Sequence, residues 1–361
     1  MPRNRTALAR FALVLLLSRS SGCSAQEWHD PSPHRVATIR LPVGRVQYLD
    51  WGGTGAPLIL LHGWNSNAHV FDDLAPRLTD RFHVVAVSLP AFGASDAPKS
   101  GYGLNDVADA VIGLMDSLSI ARASFAGHSF GGWVLTRLAT RYPDRVNKLV
   151  YLDAAFDANA SDSLVARRPV KRPPLTNVRS QADVIAWLHH DFFGMWTPSL
   201  EAEYRGRSAD EPARAAVLQP LFDEARRGPD HWADINAPVL AICALAEVSS
   251  EFPWLTTRDS AYDVARRYIE RERRPFQHAE CERFRRTVPH ATTIELSGHH
   301  YIFEQHQADV VRAMQTFLLN RESPSGALDE RARGRQHTDA PSERIRSADR
   351  DRPIRRNRSD N

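Results

Sequence analysis

Gly127-His128-Ser129-Phe130-Gly131 sets a serine midway between two glycines. Just upstream, Ala123 to Ala126 is a short run with strand character, and just downstream Phe130 to Tyr142 has the periodicity of a helix. A serine on a sharp strand-to-helix turn needs small neighbours two before and two after, because the backbone crowds there. Such a turn lifts the hydroxyl into the open at a helix N-terminus. It also leaves the N–H of Phe130 free to bind a developing oxyanion. A serine hydroxyl is a poor nucleophile alone, so this reading calls for a histidine base and an acid to orient it. Ser297-Gly298-His299-His300-Tyr301 offers two late imidazoles, and Asp153 and Glu247 stand at the ends of strand-like runs between the serine and those histidines.

The elements that must hold these groups alternate between strands and helices. Pro57 to Leu61 and Phe82 to Val87 are continuous apolar runs, as expected of strands covered on both faces. Asn105 caps an expected helix whose Val107, Val111, Leu114, Met115 and Leu118 share one face. Lys148 to Leu152, Val239 to Cys243 and Thr292 to Leu296 are further strands, and a final helix carries Val310, Val311, Met314, Phe317 and Leu318. Val36 to Leu41 and Arg45 to Trp51, joined by Val43-Gly44, read as an antiparallel hairpin on the sheet edge. The fold class is therefore α/β, a mostly parallel, doubly wound sheet. Residues 156–236 break the alternation, with helical pieces around Ala182–Phe193 and Ala213–Arg226 and no convincing strand. They read as a helical lid inserted into a core formed by residues 36–155 and 237–320.

In this setting the chain resembles the α/β-hydrolase superfamily over about residues 40–320, in its serine-nucleophile, esterase-like branch. Leu60-Leu61-His62-Gly63-Trp64 matches the family's strand-ending HG loop, and the resemblance implies that the Trp64 N–H completes the oxyanion hole with that of Phe130. Ser88 to Asp96 resembles the family's D-x-x-G-x-G-x-S-D loop, with Ser88 in place of the Asp and Ala91 in place of the first Gly. The chain order of serine, acid and histidine also fits. For the base, His300 is preferred to His299, because it precedes Tyr301 and keeps the family's spacing to Val310 and Phe317. For the acid, Glu247 is placed ahead of Asp153, since it follows the strand that begins Pro238-x-Leu240, although Ala244-Leu245-Ala246 lacks that loop's usual Gly. Asp153 is where some branches carry the acid, and a strand-end Asp is also a common turn cap. His128 reads as a packed elbow residue, and His189-His190 as solvated lid surface. Trp64, Phe92, Phe130, Trp187, Phe192, Phe193, Trp196 and Tyr301 are candidates for an apolar pocket wall.

The termini account for the charge. The formal net charge is +3, yet Arg3, Arg5, Arg10 and Arg19 cluster at the start, and from Glu322 onward 10 Arg outnumber 8 acidic residues. The body between is mildly acidic, which argues against nucleic acid as a partner. Residues 1–25 have the basic, short apolar and small-residue order of a secretory signal peptide, too short in its apolar part to span a bilayer. Ser21-Gly22-Cys23 also resembles a lipoprotein cleavage site with Cys23 acylated, so export to a bacterial periplasm or beyond the cell, with or without a lipid anchor, is expected. Residues 322–361 read as a disordered, solvated tail. Cys243 and Cys281 could form one disulfide, but Cys243 lies in an apolar strand where a free buried thiol is the commoner state. No Cys/His spacing suggests zinc, and no cofactor is called for.

A serine nucleophile with a histidine base attacks a carbonyl to form an acyl-enzyme, which water then cleaves. The expected substrate is a small or medium apolar carboxylic ester. The same constellation could serve a C–C bond hydrolase, an amidase or a cofactor-free haloperoxidase. From another class, a non-catalytic ligand receptor could retain the scaffold without turnover. Nothing in the sequence indicates oligomeric state.

Overall fold

The structure is a computed structural model and describes residues 33–98, 102–176, 179–192, 195–205, 211–225 and 231–320. The expected leader with Cys23, the tail 322–361 and Phe193 lie outside the described residues. Eight strands form one sheet: β1 (Arg35–Leu41), β2 (Gly44–Gly52), β3 (Ala56–Leu61), β4 (Phe82–Val87), β5 (Ala123–His128), β6 (Val146–Leu152), β7 (Val239–Leu245) and β8 (Ala291–Ser297). Their order across the sheet is β1-β2-β4-β3-β5-β6-β7-β8. β1 pairs antiparallel with β2, and β2 antiparallel with β4; all other pairings are parallel. The hairpin expected at the edge is present, with Leu41 opposite Gly44.

The central strands read as unbroken apolar runs because both of their faces are covered. Ile59 and Leu61 of β3 join Phe125 of β5 in one core, while Leu58 and Leu60 join Ala126 in the other. That alternation follows from the two-residue period of a strand. The first core is closed by α1 (Leu104–Ser117), α2 (Phe130–Arg141) and α9 (Arg274–Thr287). The second is closed by the turn Ala68–Phe71, α5 (Pro198–Arg205), α10 (Ile302–Gln305) and the last helix, α11 (Gln307–Leu319).

The stretch after β6 is helical, with α3 (Ala158–Ala166), α4 (Gln181–Trp187), α5 and α6 (Glu211–Ala225), and no strand among its described residues. It is pinned to the core by polar contacts: Ser199 and Asp73 exchange hydrogen bonds at 2.6 and 3.0 Å, and the Leu104 N–H donates to Glu224 at 3.0 Å. Two expectations need correction. The N-cap of α1 is Gly103 and not Asn105, because the Asp106 carboxylate accepts the Gly103 N–H at 2.8 Å and starts the helix earlier. Cys243 is not a free thiol; α9 packs against β7 and brings Cys281 into a disulfide with it. The connection from β7 to β8 had no element assigned from the sequence. It holds α7 (Val248–Glu251), α8 (Tyr262–Tyr268) and α9, which form a second helical layer beside the lid.

No helix among the described residues is long and apolar enough to cross a membrane.

Candidate active site

Ser129 sits between β5 and α2 with φ 51° and ψ −115°, a left-handed conformation that a non-glycine residue adopts at a cost of about 1 kcal/mol or more. The flanking glycines allow it. A Cβ on Gly127 would lie 2.7 Å from the Gly131 backbone, and one on Gly131 would lie 2.4 Å from the Leu61 carbonyl. Only hydrogen fits at either place. Ser129 is half-buried while β5 and the first turn of α2 are buried, so its hydroxyl emerges at the floor of a cleft. Phe130 is the first residue of α2, so its N–H falls among the donors that a helix leaves without an internal partner.

The HG loop is held from below by His62, which is fully buried. Its Nδ1 donates to the Gly63 carbonyl at 2.7 Å, and its Nε2 accepts the Leu89 N–H at 2.9 Å. Burial pushes its pKa down to about 4, so the ring is neutral and works as a two-ended spacer between the HG loop and the loop after β4. In that second loop Ala91 keeps φ at 70° although it replaces a glycine of the resembled motif. Ser88, where the motif has Asp, donates from Oγ to Gln47 at 2.8 Å and accepts the Ala68 N–H at 3.2 Å. The turn is therefore retained with neutral hydrogen bonds.

His300 and Asp153 meet across the sheet: His300 Nδ1 donates to Asp153 Oδ2 at 2.6 Å. Asp153 follows β6 with φ 44°, and its Oδ1 accepts the Ala244 N–H from β7 at 2.9 Å. The carboxylate is thus fixed at one oxygen by the neighbouring strand and at the other by the imidazole. The structure does not bring Glu247, the acid placed first from the sequence, to either histidine. Glu247 is the N-cap residue of α7, with its own N–H donated to Ser250 Oγ at 2.8 Å. Asp153 reaches His300 from the end of β6, next to β5, whereas α7 meets the histidine loop through Ser250, whose Oγ donates to the Gly298 carbonyl at 3.1 Å, and Glu247 is taken up as that helix's N-cap.

His299 is turned inward. It is 7% exposed, its Nδ1 accepts the Tyr301 N–H at 2.8 Å, and burial lowers its pKa to about 4. His128 is also buried, and its Nε2 donates to the His300 carbonyl at 3.0 Å. Burial first, then the like charge of His300, holds His128 well below the ordinary histidine range, so it is a neutral strut beneath the His300 backbone. His190 is 78% exposed, pairs with Asp191 and does not line the Ser129 pocket.

Ser129, Asp153 and His300 line one pocket of about 240 Å³ with Trp64 and Phe130. Its other apolar walls are Trp133, Phe156, Phe222 and Phe276, which were not singled out from the sequence. Trp64 packs on Phe222 of the lid at 4.8 Å and on Phe130 at 5.3 Å between ring centres. Of the other aromatic candidates, Phe92 lies behind Trp64 at 5.4 Å, and Tyr301 packs on His128 at 4.8 Å. Trp187 and Trp196 lie against the second core, away from the pocket. The side chain of Phe192 is not among those described. Arg273 and Gln277 of the β7–β8 connection add polar groups to the wall, as does the Cys243 end of the disulfide. Among the described residues, one group of side chains (His34, His69 and Asp72) could hold a metal, and none of the three lines this pocket.

Comparison with known proteins agrees with this architecture. A family model described as the Alpha/beta hydrolase family matches residues 58–313. A 2-(acetamidomethylene)succinate hydrolase from Mesorhizobium japonicum is 37% identical over 131 residues, covering 36% of this chain and 47% of that protein. A serine hydrolase-like protein from Homo sapiens is 32% identical over 152 residues, covering 41% of this chain and 75% of that protein. The chain thus matches about half the length of the first of these curated relatives. The crystal structure of an E-2-(acetamidomethylene)succinate hydrolase superposes with a TM-score of 0.55 at 22% identity, covering 79% of this chain and 99% of that one, a likeness of fold. With a family match across most of the sheet and a serine elbow at its centre, the chain belongs to the alpha/beta hydrolase family and has serine hydrolases among its relatives.

Proposed function

We propose that this hydrolase is an exported carboxylic-ester hydrolase that works through an acyl-enzyme on Ser129. The observation that carries the reading is the 2.6 Å contact from His300 Nδ1 to Asp153, in the same pocket as the serine. With Nδ1–H held by the carboxylate, Nε2 keeps its lone pair and can take the Ser129 proton. Asp153 then stabilises the imidazolium as the serine oxygen attacks the ester carbonyl. The carbonyl oxygen becomes an oxyanion facing the Trp64 and Phe130 N–H groups, and the imidazolium returns its proton to the departing alcohol. Water repeats the sequence to release the acid. An alcohol leaves with less help from protonation than an amine does, which favours esters over amides.

The pocket supports small acyl groups. Its volume of about 240 Å³ and its aromatic walls suit a small or medium apolar chain. The Cys243–Cys281 disulfide supports an oxidising compartment, in line with the secretory leader read from the first 25 residues.

A serine-directed phosphonate and a series of chromogenic esters from acetate to decanoate test the reading. Wild type is expected to label at Ser129 and to turn over the shorter esters with a burst. Ser129→Ala should lose labelling and fall by roughly 10⁴–10⁶ in kcat. Labelling that survives in Ser129→Ala would sink the assignment. A single slow turnover with every ester would point instead to a ligand receptor on the hydrolase scaffold.

A further inference from the structure

His34, His69 and Asp72 converge beside the antiparallel edge of the sheet, and none of them lines the Ser129 pocket. His34 stands directly ahead of β1, with its ring 5.0 Å from Trp51 and 5.4 Å from His69. His69 lies on the turn that follows the HG loop, where the Asn67 side chain accepts its N–H at 2.9 Å. Asp72 closes that turn and shows one oxygen to each ring. Oδ2 is 2.9 Å from His69 Nδ1, and Oδ1 is 3.6 Å from His34 Nδ1. The three donor atoms all lie within 4.8 Å of one another. The His34, His69 and Asp72 side chains are 2%, 14% and 4% exposed.

We propose that these three residues bind one divalent transition metal of the zinc type. Two imidazole nitrogens and one carboxylate are the donors that such a metal prefers, whereas Mg²⁺ and Ca²⁺ seek an all-oxygen shell. Tetrahedral zinc with bonds of about 2.0–2.1 Å needs its donors about 3.3 Å apart. Each ring has a carboxylate oxygen near that distance, at 2.9 and 3.6 Å, and the full set lies within 4.8 Å, so the donors must draw in by side-chain rotation to close on one ion. A metal here joins the segment ahead of β1 to the turn that packs under β3. Its effect falls on stability, separately from the chemistry at Ser129. The rival explanation is an ordinary His69–Asp72 hydrogen bond at i,i+3 with His34 stacked over it, which gives no metal dependence.

The test uses full-length, tag-free protein stripped with a chelator and then titrated with Zn²⁺ or Mg²⁺, read by calorimetry and by thermal melting. The expected result is one equivalent of Zn²⁺, no Mg²⁺, and a Tm that rises with Zn²⁺. His34→Gln and Asp72→Asn should each weaken Zn²⁺ by at least about 100-fold, more than loss of an outer-shell partner does. Ser129→Ala should bind as wild type does. His34→Gln also removes a buried ring, so its metal-free Tm is measured beside that of metal-free wild type, and the Zn²⁺-dependent rise in Tm above that baseline is what should vanish, which separates loss of binding from loss of fold. Zn²⁺ binding that persists in both His34→Gln and Asp72→Asn would show adventitious capture by exposed imidazoles and overturn the proposal. So would the absence of binding by wild type.

Discussion

Replacing Asp153 by Asn removes a charge while preserving shape, and the structure sets the size of the effect. The carboxylate and the imidazolium formed during attack have charge centres about 4 Å apart, worth about 4 kcal/mol at an effective dielectric near 20. The His300 side chain is 42% exposed, so solvent screening reduces this to about 2–3 kcal/mol, a factor of roughly 30–150 in rate. The amide adds a second loss. Its NH₂ can donate to Nδ1, which drives the ring proton to Nε2, where a lone pair is needed, and removes about one to two further decades. Asp153→Asn should therefore lower kcat for a chromogenic ester by roughly 10³–10⁴, with little change in KM. The Ala244 N–H can still donate to the retained amide oxygen, so the fold should hold, and a thermal melt checks this. Glu247→Gln is the paired control: at the N-cap of α7 and away from the pocket, it should change kcat by less than about twofold. The reasoning is refuted if Glu247→Gln costs more than Asp153→Asn, or if Asp153→Asn stays within tenfold of wild type.

Reducing the disulfide frees a loop closed over 38 residues, and chain entropy puts the stability loss at about 4 kcal/mol, measured as a lower denaturation midpoint with and without reductant. Activity at 25 °C should survive reduction, because the Ala244 N–H that holds Asp153 is positioned by β7 rather than by the sulfurs. Acid should unfold the protein early: His62 and His299 have folded pKa values near 4 against 6.5 when unfolded, so each withdraws about 3 kcal/mol as pH falls from about 6.5 to 4. Urea midpoints across that range check this, and His299→Gln should flatten part of the slope. Glu304 has the opposite sign. Burial, with Asp73 the next largest cause, raises its folded pKa well above 4.5, so it costs stability as pH rises past 4.5. Glu304→Gln should stabilise the protein at pH 7 and have little effect at pH 4, as read by Tm at the two pH values.

The sequence by itself determined the features whose causes are local. Unbroken apolar runs mark strands covered on both faces, and the spacing of Gly127, Ser129 and Gly131 marks a turn that tolerates no side chain on either side. His62-Gly63-Trp64 was legible for the same reason, since a strand end and a tight loop are encoded in a few consecutive residues. The helical character of the stretch after β6 was legible too, although not which of its aromatics face the pocket. Phe156 and Phe222 take that place while Trp187 and Trp196 turn to the other core, because the direction of a lid side chain is set by what its element packs against. α9 was missed because its helix is mostly polar and shows few apolar positions, yet its Cys281 closes a disulfide and its Phe276 and Gln277 reach the pocket.

Only the tertiary structure decided the partner of the histidine. Asp153 and Glu247 both follow strands and both lie between the serine and the late histidines in the chain. Local backbone and cross-strand bonds separate them: the left-handed residue after β6, anchored by the Ala244 N–H, aims its carboxylate at His300, while Glu247 is taken up as the N-cap of α7. The same holds for His299 against His300, adjacent in sequence, where one ring turns into the core to accept the Tyr301 N–H and the other turns out to the cleft. Pairing across distant segments depends on strand order and register, and neighbouring residues carry no record of either.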